Sequence, residues 1–266
     1  MKLLSFTHAG RESWGLLEGA EVLDLGARPA FEAPTLIEAL RGDDLMGIAM
    51  NSVGLAPDHK LDDVDLLPPI PQPPRIIRFD GDSQRPGQSA PSSTTRAPGR
   101  NSVSAAVDEA DSANDEISWR PGLAAVVGYD CARVPTARAP EVIAGYTCYA
   151  DGPAAWGPYL ITPDEFRETS KGQLTALVNG DRVLNHPVAE LADSLHTLVS
   201  RESFSAPMRP GDLLVVLAPR PAHAASDIWS PGGTDQCEVT MPIAGSLRRS
   251  QFRGIPQIPL GKQMSW

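Results

Sequence analysis

Basic residues are in short supply in this 266-residue chain: 23 Lys and Arg stand against 33 Asp and Glu, for a net charge of −10 and a pI near 4.9. Without a basic stripe to track a phosphate backbone, nucleic acid is excluded as a partner. Cysteine is scarce as well. Cys131, Cys148 and Cys237 are odd in number, widely spaced and set among apolar neighbours. That pattern suits small buried hydrophobes in a reducing compartment, not a disulfide framework or a zinc cluster. Long apolar runs are missing: the opening MKLLSFTHAG is too short in hydrophobic residues for a signal peptide, and no stretch approaches membrane-spanning length. The expectation is a cytoplasmic protein with no membrane partner. No G-x-S-x-G elbow, P-loop or G-x-G-x-x-G occurs, which removes support for serine-hydrolase, nucleotide and dinucleotide readings.

What is present is enough apolar material, 41% of residues, for a substantial core. Lys2 to Phe6, Trp14 to Leu17 and Glu21 to Leu25 read as strands of a small antiparallel meander, turned at Gly10 and Gly19. From Leu36 to Ala49 the apolar residues fall near helical spacing. Thr35 as N-cap and Glu38 three residues on predict the helix start, and Gly42 predicts a break. The Pro-dense LPPIPQPP, Leu67 to Pro74, can be neither helix nor central strand and divides a small N-terminal module, residues 1–66, from a main domain, 67–250, with a tail at 251–266. After a strand at Arg75 to Phe79, most of Asp80 to Glu116 is expected to be loop, as a lid or as disorder, since it is rich in Ser, Ala, Asp, Gly and Pro and has no aromatic residue. Asn179-Gly180 predicts a two-residue type I′ hairpin, and Val188, Leu191, Leu195, Leu198 and Val199 predict an amphipathic helix over Val188 to Arg201. Leu213 to Leu217, Gln236 to Ile243 and Ser246 to Arg248 read as closing strands.

The most informative stretch is Ile117 to Asp151. It reads as a buried strand over Leu123 to Tyr129, a Pro-rich connection, and a second strand over Gly145 to Asp151. Arg120 stands just before the first strand and Asp151 ends the second, where a site built at strand ends carries its chemistry. A charged strand end reaching solvent is the plainer alternative.

Taken in order, these segments resemble the fumarylacetoacetate hydrolase family. The matching stretches are LLSFTHAGRESWGLLEGAEVLDL, LLPPIPQPPRII, LAAVVG (Leu123 to Gly128), AGYTCYAD (Ala144 to Asp151), MRPGDLLVVLAP (Met208 to Pro219) and EVTMPIAGSLR (Glu238 to Arg248). The resemblance implies an α+β, β-rich fold of mixed sheets rolled around a central pocket with a small N-terminal module. It also implies a homodimer, a small-molecule substrate of the 1,3-dicarbonyl or oxo-acid class, and a hard cation such as Mg²⁺ that chelates substrate oxygens and stabilises an enolate.

The same resemblance implies a Glu-x-Glu pair and a later Asp as metal ligands. Here the pair's positions hold Arg120 and Gly122, and only Asp151 is kept. One carboxylate is too few for Mg²⁺, so no metal and no cofactor is expected, with Mg²⁺ at Asp151 as the alternative. The family's water-activating segment corresponds to RFDGDSQRP, Arg78 to Pro86, without His; its pocket Lys falls near Ala97 or Pro98, and its loop Thr at Ala218. Charge at the old metal position stays balanced, since Arg120 and Asp151 sum to zero, and a guanidinium can take the metal's place as electrophile. The candidate catalytic residues are therefore Arg120, Asp151, Arg78 and Asp80, with Asp82 beside them. The candidate pocket residues are Trp119, Gly122, Tyr149, Trp156, Tyr159, Ala218, Arg220 and His223. A plain Arg120 to Asp151 ion pair plugging the site is the competing structural reading. His8, His59, His186 and His196 have no partner visible in sequence and read as structural.

Three functions follow. The first is a metal-independent enzyme that cyclises, isomerises or eliminates on an enolisable dicarbonyl or polyketide-like substrate. The second is a Mg²⁺-dependent C–C hydrolase or decarboxylase of oxo acids, with Asp115 and Glu116 as displaced ligands. The third is a non-catalytic homologue that stabilises or regulates a partner.

Overall fold

A computed structural model describes residues 1–42, 45–80, 94–96, 119–151, 154–219 and 236–250. The chain opens with β1 (Lys2–His8), β2 (Arg11–Glu18) and β3 (Glu21–Asp24), then α1 (Leu36–Arg41) and α2 (Leu45–Ser52), then β4 (His59–Lys60) and β5 (Asp65–Leu67). The main part follows with β6 (Ile76–Asp80), β7 (Thr94–Arg96), β8 (Arg120–Val127), β9 (Ile143–Asp151), β10 (Ala155–Ile161), α3 (Pro163–Thr169), β11 (Gln173–Val178), β12 (Asp181–Pro187) and α4 (Val188–Ser205). It closes with β13 (Leu213–Leu217), β14 (Gln236–Met241) and β15 (Gly245–Ser250).

Among the described residues the larger sheet runs β4-β3-β2-β1-β10-β9-β8-β13-β6-β7 with β5 on β1, and the smaller runs β12-β11-β14-β15. Every pairing is antiparallel except β13 with β6, so the sheets are mixed and helices pack on them: an α+β architecture. The N-terminal segment is continuous with the rest, because β1 pairs with β10 and the Met1 ammonium sits against Asp164 and Glu165 of α3. Trp156 Nε1 donates to the Ile70 carbonyl and Ser5 Oγ to that of Pro69, which pins the Pro-rich segment to the sheet with side-chain donors where Pro has no N–H to offer.

Strand alternation gives the large sheet two buried faces. On one, Leu123, Ala125, Val127, Tyr146, Cys148, Leu214 and Val216 pack with α4 and the smaller sheet. On the other, Ala124, Val126, Tyr149, Trp156, Leu213 and Val215 pack with Trp14, Leu36, Leu40 and Ile48 of the N-terminal segment. A strand covered on both sides shows no alternation of polar and apolar residues, which is why the run at Leu123 reads as continuous hydrophobicity.

Local signals behave as their chemistry requires. Thr35 and Glu38 form a reciprocal capping box, each side chain accepting from the other's backbone N–H. Thr35→Ala is expected to cost about 1 kcal/mol in a denaturant titration, the usual worth of an N-cap hydroxyl. Asn179 and Gly180 both take positive φ, 52° and 88°, between register partners Val178 and Asp181, as a type I′ turn demands. Helix α4 extends to Ser205, beyond the last apolar position of its stripe. Its final turn is fixed by polar contacts instead: Ser203 is buried and its Oγ accepts from Val134 N, while Phe204 points outward. Strand β8 begins at Arg120, before its apolar run, because Arg120, Pro121 and Gly122 are already paired with β9.

On the α4 face, Tyr146 stacks on Phe166 at 3.7 Å and its hydroxyl lies 2.8 Å from His196 Nε2. Burial lowers the pKa of His196 and of His186 from the ordinary 6.5, outweighing Asp193 and Glu190, which act the other way. Below pH 6.5 the unfolded chain therefore takes up protons that the folded chain does not. Stability is expected to be complete above that pH and to fall from it down to the lowered values. Denaturant titrations at about pH 7.5 and about pH 5.5 check this, and His196→Gln is expected to flatten the difference.

Candidate functional site

Sheet register decides which polar residues meet. Arg120 is the direct partner of Asp151 across β8 and β9, and Gly122 that of Tyr149. Trp156 of β10 stands opposite Tyr149. On the other side Gly122 pairs with Leu217 of β13, and Val215 and Leu217 align in parallel with Arg78 and Asp80 of β6. Residues in register share a face, so Arg78, Arg120, Gly122, Tyr149, Asp151 and Trp156 all belong to the face that carries the N-terminal segment.

At the end of β9 these residues make one polar cluster. Arg78 Nη1 donates to Asp151 Oδ1 at 2.6 Å, and the Tyr149 hydroxyl donates to the same oxygen at 3.4 Å. Arg120 Nη2 donates to the Ala218 carbonyl at 3.2 Å, and Ala218 N donates to the Pro121 carbonyl at 2.9 Å, which ties β8 to the end of β13. Exposure separates the two guanidinium groups. Arg120 is 6% exposed, whereas the Arg78 side chain is 29% exposed. Tyr149 is fully buried; burial, then the Asp151 charge, push its pKa up against the opposing pull of Arg78, so the phenol stays protonated and donates. Burial also pushes the Cys148 thiol up to about 12, which leaves it a small core residue without thiolate character.

The remaining sequence candidates lie elsewhere. Trp119 is buried with Phe79 and Leu123 in the opposite cluster, because its odd position in β8's alternation turns it away from Arg120. Tyr159 is half-buried against the opposite cluster and near Gly245, past the irregularity that follows Gly157. Ala218 is buried and meets the cluster through its carbonyl. The side chains of Asp80 and Asp82, together with Arg220, His223, Asp115 and Glu116, lie outside the described residues, as do the rest of the expected loop over 81–93 and 97–116 and the tail. The Arg78 to Asp151 contact is what sequence reading does not supply. It spans 73 positions and joins β6 to β9 across the two strands, β13 and β8, that lie between them in the sheet.

This arrangement has the fold of the fumarylacetoacetate hydrolases. The chain superimposes on fumarylacetoacetate hydrolase from the psychrophile Exiguobacterium antarcticum with a TM-score of 0.80, at 18% identity over 95% of this chain and 99% of that one. Maleylpyruvate hydrolase from Sphingobium sp. SYK-6, in complex with manganese(II) ion and pyruvate, gives 0.74 at 20% identity, covering 95% and 99%. The 5-carboxymethyl-2-hydroxymuconate delta-isomerase from Mycobacterium smegmatis gives 0.67 at 18%, also covering 95% and 99%. No protein-family model matches the chain. Curated relatives include uncharacterised proteins of Staphylococcus haemolyticus, 23% identical over 93% of this chain and 98% of the relative, and of Staphylococcus aureus strain USA300, 22% identical over the same shares. No helix among the described residues is long and apolar enough to cross a membrane.

The described side chains do not fit the divalent cation that the fold family implies. Among the described residues no three His, Cys, Asp or Glu side chains gather as ligands. One Asp151 oxygen is engaged by the Arg78 guanidinium at 2.6 Å, and Arg120 holds the register position opposite Asp151. Position 122 admits no side chain: a Cβ there would stand 2.5 Å from the Val216 carbonyl oxygen and 3.1 Å from Leu217 Cα.

Proposed function

We propose that this chain is a small-molecule enzyme that enolises a carbonyl substrate, a 2-oxo acid or 1,3-dicarbonyl compound, and carries it through isomerisation, cyclisation or elimination without a divalent cation. The observation that carries the reading is the clamped carboxylate: Asp151 accepts from Arg78 and Tyr149 through one oxygen, on the sheet face it shares with Arg120. In this reading Asp151 takes a proton from the carbon next to the carbonyl through its other oxygen. The C–H electron pair moves into a C=C bond, the carbonyl π pair moves to oxygen, and a guanidinium stabilises the enolate where the family uses a metal. Return of the proton to a different carbon completes an isomerisation. The likeness in fold to solved hydrolases and a solved isomerase supports an enzyme of this broad kind. A homodimer working in the cytoplasm, with residues 1–66 and 67–250 as its two structural parts, belongs to the same reading.

The test is deuterium uptake from D₂O, followed by NMR, for pyruvate and acetylacetone with a chelator present. Protein-dependent exchange at the carbon beside the carbonyl is the expected result. Exchange that appears only on adding Mg²⁺ or Mn²⁺ replaces this reading with the metal-dependent hydrolase or decarboxylase, and no exchange under either condition leaves the non-catalytic homologue.

A further inference from the structure

We propose that the apolar face of α2 is a docking surface for this chain's own C-terminal segment, residues 251–266, which lies outside the described residues. The surface takes no part in the chemistry assigned to Asp151. Helix α2 is buried along Ile48, Ala49 and Ser52, while Met46 and Met50 are 64% and 70% exposed and Val53, just past its last residue, is 82% exposed. Spacing of four and then three puts these three side chains on one side of the helix. Leu55, also exposed, follows them. Four of the seven exposed large apolar side chains among the described residues therefore fall within ten positions. Scattered apolar residues need no explanation, whereas a contiguous group marks a place where something binds. Methionine suits such a surface, since its unbranched thioether repacks around what it meets.

Charge decides what fits there. From Leu45 to Pro57 the chain carries no charged residue, whereas residues 32–65 around that stretch hold eight Asp and Glu against Arg41 and Lys60. The occupant this selects is apolar, with basic residues beside the apolar ones. After Glu238 the chain has no acidic residue and four basic ones, Arg248, Arg249, Arg253 and Lys262, in a molecule whose net charge is −10. Within 251–266 stand Phe252, Ile255, Ile258, Leu260, Met264 and Trp266. Pro256 and Pro259 disfavour a helix and favour polyproline-type extension, in which Ile255 and Ile258 come three residues, about 9 Å, apart on one side. Met46 and Val53 are about 10 Å apart along α2, seven steps of about 1.5 Å, so the two spacings match. From Ser250, the last residue of β15, residues 251–266 reach up to about 50 Å, on the order of the width of a domain of this length.

The experiment is methionine footprinting of the full chain: brief treatment with hydrogen peroxide, with oxidation at each Met read by mass spectrometry. Buried Met208 and Met241 serve as the slow internal standard. Wild type is compared with the double variant Ile255→Asp, Ile258→Asp and with the double variant Arg253→Glu, Lys262→Glu. None of these four positions belongs to the described core, so the melting curves are expected to stay close to wild type and to exclude a folding defect. Met46 and Met50 are expected to oxidise about tenfold faster in the Ile255→Asp, Ile258→Asp protein than in wild type, as for a contact closed about nine-tenths of the time. Charge reversal at Arg253 and Lys262 is expected to give about threefold, and about 1 M salt to bring wild type to a similar level. A Val53→Cys, Ile258→Cys double variant under mild oxidation is expected to link the two segments within one chain. Equal oxidation of Met46 and Met50 in wild type and both tail variants overturns the proposal. Wild-type protection that grows between about 1 and about 100 μM protein, or a linkage that joins two chains, overturns it in favour of contact between copies.

Discussion

Gly122→Glu, which places a carboxylate at the position where the sequence resemblance implies a metal ligand, is expected to destabilise the protein and not to create a metal site. Gly122 lies in the interior of the large sheet, between Tyr149 on β9 and Leu217 on β13. The nearest atoms to a Cβ at this position are backbone: the Val216 carbonyl oxygen at 2.5 Å, Leu217 Cα at 3.1 Å and the Val216 carbonyl carbon at 3.3 Å. Backbone within a paired strand cannot rotate aside as a side chain would, so β8 and β13 must separate or lose register. Overpacking of this kind costs about 3 kcal/mol or more, and a glutamate adds the cost of placing a carboxylate against the buried Leu217 and Trp156 region. A urea titration measures the loss. Gly122→Ala, which adds the Cβ without the charge, is expected to show most of it. A Gly122→Glu protein as stable as wild type that binds Mn²⁺ stoichiometrically would overturn the account of β8.

Asp151→Asn is expected to lower the rate of substrate deuterium exchange by roughly 10²- to 10⁴-fold, the range for removing a general base. The amide keeps the size of the carboxylate and an oxygen to accept from Arg78, so the fold is expected to persist. The side chain is only partly buried, and Arg78 can turn toward water, so the stability loss should stay at about 1 kcal/mol, as for a partly exposed ion pair. The two readouts separate the possibilities. A large fall in rate with an unchanged melting curve assigns chemistry to Asp151. An unchanged rate removes it from the mechanism whatever the fold. A fall in stability with no exchange in wild type marks the Arg78 to Asp151 pair as a structural plug.

Many elements announce themselves locally. The capping box at Thr35 and Glu38, the type I′ turn at Asn179-Gly180 and the apolar stripe of α4 each rest on interactions within a few residues, so composition and spacing suffice. The last turn of α4 does not, because Ser203 is held by Val134 from a distant segment. The site divides in the same way. That Arg120 and Gly122 share one face of β8, and Tyr149 and Asp151 one face of β9, follows from the two-residue period of a strand. That Trp119 looks the other way follows from the same period once β8 is known to start before its apolar run, and that start is set by pairing with β9.

Sequence by itself determined the N-terminal meander, the capped helix start at Thr35, the hairpin turn at Asn179-Gly180, the stripe of α4 and the apolar runs next to Arg120 and Asp151, because these are properties of single segments. Only the tertiary structure decided that Asp151 is held by Arg78, that Arg120 is turned into the wall against Ala218, and that no side chain fits at 122. Each of those depends on β13 lying between β6 and β8, and strand order is a long-range choice made by how two faces of one sheet are buried, which no local pattern encodes.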